Sequence, residues 1–173
     1  MTSTRTLRAR ILAASMLAAG IFAGSATRAA DDLDLARYRG KVVLLDFWAS
    51  WCAPCKESFP WMQALQQRYA AQGLAVVAVN VDRDAKAAQR FLAAMRPGFD
   101  VVFDAQAQLA ERFHVNAMPS SYFVDRAGVV RFTHAGFFPS ETGAAEAQLR
   151  ALLAEPAAGN PQVSVVAPAG TLQ

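Results

Sequence analysis

The sequence predicts an α/β fold, a mixed central sheet covered by helices on both faces. Three observations carry this. Residues 41–47 and 74–81 are short, almost continuously apolar runs, the mark of strands buried on both faces. Residues 54–72, between them, place apolar side chains at helical spacing. Residues 121–124 and 129–133 flank Asp125-Arg126-Ala127-Gly128, which is hairpin-turn chemistry. A strand–helix–strand unit makes the first two strands parallel, and the hairpin adds antiparallel ones. At 173 residues the chain is one domain by length, and 54% hydrophobic against 18% charged residues excludes wholesale disorder. No apolar run reaches the roughly 18 residues of a confident membrane span, which excludes a polytopic membrane protein.

The first segment is an export signal. Arg5, Arg8 and Arg10 precede the apolar residues 11–24, small residues follow, and Asp31-Asp32 opens an acidic stretch. That order of charge, apolar core and small residues describes a secretory signal over residues 1–29. Gly24-Ser25-Ala26 fits the small-x-small cleavage pattern, and Thr27-Arg28-Ala29 fits less well. The alternative is an uncleaved anchor, with residues 11–24 holding the protein to the inner membrane. Either way the mature chain works outside the cytoplasm, in the periplasm or beyond. The segment also explains the net charge of +3: residues 1–30 hold four arginines and no acid, and the rest carries 13 bases against 14 acids. No nucleic-acid partner follows from that balance.

The remaining elements follow in order. The helix over 54–72 carries the stripe Phe59, Met62, Leu65 and Tyr69, and Gly73 is its C-cap candidate. Residues 84–95 form a second helix ended by Pro97-Gly98. Residues 101–103 are a short strand, 106–113 a short helix, and 141–153 the closing helix. The domain therefore spans residues 31–154. From residue 155 onward Pro, Ala and Gly dominate, which predicts a disordered tail over 155–173.

The two cysteines, Cys52 and Cys55, stand in Trp51-Cys52-Ala53-Pro54-Cys55. A structural bridge usually closes a long loop, and this pair closes almost none. A structural zinc site wants four ligands, and only His114 and His134 could complete one, at a separation outside the usual finger spacing. The remaining reading is redox. The pair lies where a buried strand gives way to a helix, whose free N–H groups and dipole stabilise a thiolate at Cys52. Pro54 is tolerated in that first turn. Cys55, one turn further in, is placed to attack a mixed disulfide at Cys52.

The segment from Asp46 to Lys56, DFWASWCAPCK, resembles the active-site segment of the thioredoxin superfamily. The exported setting, Phe59-Pro60 after the motif and the extra helix over 84–95 resemble its TlpA/ResA-like branch. Met118-Pro119-Ser120 is similar to the family's cis-proline loop. The resemblance covers roughly residues 34–153. It implies a thioredoxin fold, thiol–disulfide exchange without a cofactor beyond the Cys52–Cys55 disulfide, and no metal. It also implies a membrane thiol reductase as electron donor, and disulfide-containing exported proteins as substrates. Those substrates would lie along Met118 and Pro119, with Trp51 adding an apolar docking surface. The protein is expected to act as a monomer.

Two departures stand out. Ser58 occupies the position where cytochrome-maturation members usually carry a glutamate, and Glu57 falls one position early, facing elsewhere. That weakens the case for apocytochrome c as a dedicated substrate. The lysine that accompanies the buried acid in thioredoxin would fall at Ala78, so Asp46 lacks a cationic partner and burial should raise its pKa. Asp46 is expected to accept the proton of Cys55, through water. Two rival classes stay open. A peroxiredoxin would want Thr where Ala49 stands, and a Cu(I)-handling protein or copper-site reductant would use the same two thiolates without a flanking Met or His cluster.

Overall fold

The computed structural model describes residues 35–156. The export segment and residues 157–173 of the expected tail lie outside the described residues. Among the described residues, five strands form one sheet in the order β3-β2-β1-β4-β5. They are β1 (Val42–Trp48), β2 (Leu74–Asn80), β3 (Asp100–Phe103), β4 (Ser120–Val124) and β5 (Val130–Ala135). β1 pairs parallel with β2 and β2 with β3, while β4 runs antiparallel to both β1 and β5. The mixed sheet with a parallel first pair is the predicted arrangement. β1 and β2 are buried at every residue, whereas the edge strand β5 alternates half-buried and exposed. A strand covered on both faces needs apolar residues throughout; an edge strand does not.

Four helices among the described residues cover the sheet: α1 (Ala53–Tyr69), α2 (Ala85–Met95), α3 (Gln108–Arg112) and α4 (Thr142–Ala154). Strand alternation divides the interior in two. Val42, Leu44 and Trp48 point toward α1, α2 and α4, meeting Phe59, Met62, Leu65, Phe91, Leu149 and Leu152. Val43, Leu45 and Phe47 point the other way, toward Leu109, Ala110 and Phe113 of the α3 side.

The expected helix over 54–72 ends earlier, at Tyr69, and a 3-10 turn (Ala70–Gln72) follows it. The Gly73 N–H donates to the Ala70 carbonyl at 3.0 Å, an i+3 bond that tightens the last turn. Gly73 then takes the left-handed conformation, φ 96°, expected of its C-cap role. A Cβ there would also lie 2.8 Å from the Arg126 guanidinium. Arg126, in the hairpin turn, uses that guanidinium to bond the carbonyls of Gly40, Gln72, Leu153 and Glu155. Glu155, assigned by composition to the tail, is thus tied to the domain, and its carboxylate also meets Arg131 at 3.0 Å. The short helix expected over 106–113 shrinks to Gln108–Arg112 because Ala107 is left-handed and the Asp104 carboxylate takes the Ala110 N–H at 2.9 Å.

Candidate active site

β1 ends at Trp48, and the three residues after it carry the chain to the cysteines. Their path is held from β2. The Val81 N–H donates to the Trp48 carbonyl at 3.0 Å. The Asp82 carboxylate, buried, accepts from the Ser50 N–H at 2.8 Å, the Ser50 hydroxyl at 3.0 Å and the Asn80 amide at 2.7 Å. A carboxylate satisfied by three donors is a firm anchor for a short loop. The Cys52 N–H closes the turn by donating to the Ala49 carbonyl at 3.1 Å.

Cys52 is the N-cap of α1, with extended backbone angles of φ −84° and ψ 110°. Its sulfur accepts a hydrogen bond from the Cys55 N–H at 3.2 Å, so one of the free amides of the helix start is aimed at that atom. Pro54 falls inside the first turn, where its missing N–H has no intrahelical partner to lose. The two cysteines are bonded, S–S 2.09 Å, with Cα atoms 5.3 Å apart. Cys55 is fully enclosed, while Cys52 keeps 4% of its surface and neighbours Trp51, which is 70% exposed. Beneath them lies an aromatic floor: the Trp48 ring meets Phe59 at 4.9 Å and Phe91 at 4.6 Å, which seats α2 against the motif.

Ser58 is buried and its hydroxyl donates to the Cys55 carbonyl at 3.1 Å; Glu57 faces solvent, as expected. Asp46 is completely buried in β1, on the face that α1 covers. Its register partners are Ala78 in β2 and Ser121 in β4. No cation stands opposite, and burial pushes the Asp46 carboxyl up to about 7. The Ser121 hydroxyl donates to Asp46 Oδ1 at 2.5 Å and offsets part of that rise, while Oδ2 has no partner.

The Met118–Pro119 peptide bond is cis. Ser120 pairs with Phe47, so Met118 and Pro119 leave the sheet at the end where β1 yields to the cysteine segment. Met118 is half-buried and packs against both cores, and the Pro119 carbonyl accepts from the Gly136 N–H at 2.7 Å. The structure therefore gathers Trp51, Cys52, Cys55, Met118 and Pro119 at one end of the sheet, with Asp46 buried on the α1 side. His134 instead bonds Gln148 at 2.9 Å, and His114 is exposed. Among the described residues, no group of three or more His, Cys, Asp or Glu side chains could hold a metal ion. Sequence reasoning missed Ser121 and the Ser50–Asp82–Asn80 clamp, since neither shows a local signal.

Known proteins agree with this geometry. A model of the Redoxin family matches residues 23–153. The thiol-disulfide oxidoreductase ResA of Geobacillus kaustophilus is 35% identical over 97 residues, which are 56% of this chain and 56% of that protein. The thioredoxin-like protein YneN of Bacillus subtilis is 38% identical over 101 residues, covering 57% of this chain and 58% of YneN. The chain thus spans just over half the length of these relatives. Among solved structures, one described as a thiol:disulfide interchange protein DsbE from Chlorobium tepidum superposes with TM-score 0.68 at 46% identity, over 69% of this chain and 84% of that one. StoA from Bacillus subtilis gives TM-score 0.53 at 26% identity, covering 60% of this chain and 79% of StoA. The expected thioredoxin fold is the fold observed. On the extent of the family match and on these likenesses, the chain belongs to the Redoxin family, as a ResA/TlpA-like member of the thioredoxin superfamily.

Proposed function

We propose that the protein is an exported thiol–disulfide oxidoreductase that reduces protein disulfides. The observation that supports this best is the placement of Cys52 as N-cap of α1, its sulfur held by the Cys55 N–H. A thiolate at that atom is stabilised by the helix start, and it is the cysteine with surface to spare. In the reduced protein the Cys52 thiolate attacks a partner disulfide; one partner sulfur leaves as thiolate and a mixed disulfide forms. Cys55 then loses its proton to Asp46, attacks Cys52 and displaces the second partner sulfur. Two electrons pass to the partner, and the Cys52–Cys55 disulfide remains. A membrane thiol reductase would restore the dithiol. Trp51, Met118 and Pro119 would seat the partner's backbone, in the manner of strand addition.

Residues 1–29 would direct export and residues 31–154 form the working domain. An insulin-reduction assay run beside peroxide consumption and a Cu(I) titration tests the proposal. Turnover of insulin with a thiol donor, lost in Cys52→Ser, is the expected result. Peroxide consumption without insulin reduction would make the protein a peroxidase, and tight Cu(I) binding without either would make it a metal carrier.

A further inference from the structure

Asp46 is sealed on the side of its own strand pair, and the way a proton reaches water from it is not obvious. From α1 and its N-cap the titratable groups on this face are Cys52, Cys55 and, at the last residue of the helix, Tyr69, whose hydroxyl is taken up by Glu146; from β2 the neighbour is Ala78, and from β4 it is Ser121. α2 contributes Ala88 and Phe91 to the same core, neither of which titrates. The exit lies through Ser121. Its hydroxyl gives its single proton to Asp46 Oδ1, so both of its lone pairs are free to accept. On its other side Ser121 lines a cavity of about 20 Å³, shared with Trp61, His134, Glu141, Thr142 and Ala145. That is room for one water molecule, with polar groups on several walls, which is what a water needs in order to stay. The pairing of Ser121 with His134 across β4 and β5 forms the floor of this cavity, and Trp61 Nε1 is a buried donor without a protein partner. His134 and Glu141 are the titratable groups at the cavity, and the third element there, α4, offers the neutral Gln148, bonded to His134.

We infer that Ser121 is a proton-relay residue, passing the proton of Asp46 to a water in the cavity between α1, β5 and α4. This rests on the reading of Asp46 as the base for Cys55. In the resolving step the S–H bond of Cys55 breaks and its proton goes to Asp46. The Cys55–Cys52 S–S bond forms, the Cys52–partner bond breaks, and the partner sulfur departs with the electron pair as thiolate. The acquired proton then passes from the carboxyl to Ser121 Oγ, after a half-turn about Cβ–Cγ, a torsion with a broad two-fold profile in Asp. Ser121 gives its own hydroxyl proton to the water in the same movement, and the carboxylate is restored. The one further motion is a turn of the Ser121 hydroxyl, which swings its hydrogen from Asp46 Oδ1 to the water, and the path avoids the surface that a docked partner covers.

The test is the pH profile of the rate of proton release to a pH-indicator dye during a single turnover with a disulfide peptide, because the relay acts after the partner thiol has left. Removing the Ser121 hydroxyl has one effect that any structural role would share. The hydrogen bond that holds the Asp46 carboxyl down is lost, so the midpoint of the profile moves up. A relay adds a second effect: the plateau at high pH falls, by about a hundredfold, the low end of a general acid–base contribution. Ser121→Ala should show both, and Ser121→Thr, which keeps the hydroxyl, should restore the plateau. Ala145→Val fills the cavity while leaving Ser121 and Asp46 in place. It should lower the plateau without moving the midpoint, and it carries the test if Ser121→Ala fails to fold. A shifted midpoint with an intact plateau in Ser121→Ala would overturn the relay. So would an intact plateau in Ala145→Val. A wild-type chain that exchanges with no disulfide would overturn the proposed activity and the relay together, so the two failures are told apart.

Discussion

Asp46 stands opposite Ala78 in the parallel register of β1 and β2, so the one charged position of the central strand faces a methyl group. With no cation to hold its charge, the carboxyl keeps its proton up to about pH 7, against 3.8 for an exposed aspartate. The folded protein therefore binds one proton more than the unfolded chain across that window, and stability falls as pH rises through it.

Asp46→Asn should remove this slope. The wild type should lose stability steadily between about pH 4 and pH 7, by up to roughly 4 kcal/mol for a shift of this size, and level off above it. The variant should be flat over the same range and the more stable of the two at alkaline pH. Urea unfolding at a series of pH values reads both. A wild-type curve that rises across the window would mean that Asp46 is ionised in the folded state.

Asp82 makes a second prediction. Its carboxylate is the acceptor for the Ser50 N–H, the Ser50 hydroxyl and the Asn80 amide, the contacts that hold the residues before Cys52. Asp82→Ala leaves those donors without a partner in a buried setting, which costs about 2–3 kcal/mol of stability. The loop should also loosen, and hydrogen exchange at the Ser50 amide should accelerate far more than at the β1 amides. Equal acceleration throughout would show that the clamp acts only on global stability.

The legible and illegible parts of this molecule differ in a physical way. β1 and β2 announce themselves because strands buried on both faces must be apolar throughout, and the cysteine pair is a local pattern at a strand–helix junction. Asp46 is legible for the same reason: a carboxyl inside an apolar run is conspicuous. Ser121 is not. A serine in a strand is ordinary, and its meaning comes from a hydrogen bond to a residue 75 positions away. Asp82 likewise acts on Ser50 across 32 positions. The boundaries of α1 and α3 moved for a related reason, since the Ala70–Gln72 turn and the Asp104–Ala110 bond depend on contacts that periodicity does not encode.

The roles of the two cysteines are open to chemical labelling. Cys52 alone receives the Cys55 N–H and retains surface, whereas Cys55 is enclosed. Brief alkylation of the reduced protein at neutral pH should therefore label Cys52 first, by at least about tenfold in rate, since exposure and thiolate character act together. Cys52→Ser should be inactive, and Cys55→Ser should accumulate mixed disulfides with partner proteins. Peptide mapping that finds the label mainly on Cys55 would reverse the assignment.

The direction of exchange follows from what stabilises the reduced form. A strong oxidant needs an unusually stable thiolate, because the potential rises as the reduced state is favoured. Here the residues between the cysteines are Ala53 and Pro54, which bring neither charge nor a side-chain donor. Support for a Cys52 thiolate comes from the helix start and the Cys55 N–H alone. Above about pH 7 Asp46 is ionised on the same face of the sheet and opposes that thiolate. The potential should accordingly lie near the reducing end, about −270 mV, and far from the oxidising end near −120 mV. Asp46→Asn, by removing the opposing charge, should raise the potential above that pH, with each 1.4 kcal/mol of relief worth about 30 mV. Equilibration of both proteins against a thiol–disulfide redox buffer at alkaline and at mildly acidic pH measures this. The difference between them should vanish on the acid side, where the wild-type carboxyl is itself neutral. A wild-type value close to the oxidising end would make this protein a donor of disulfides to its partners.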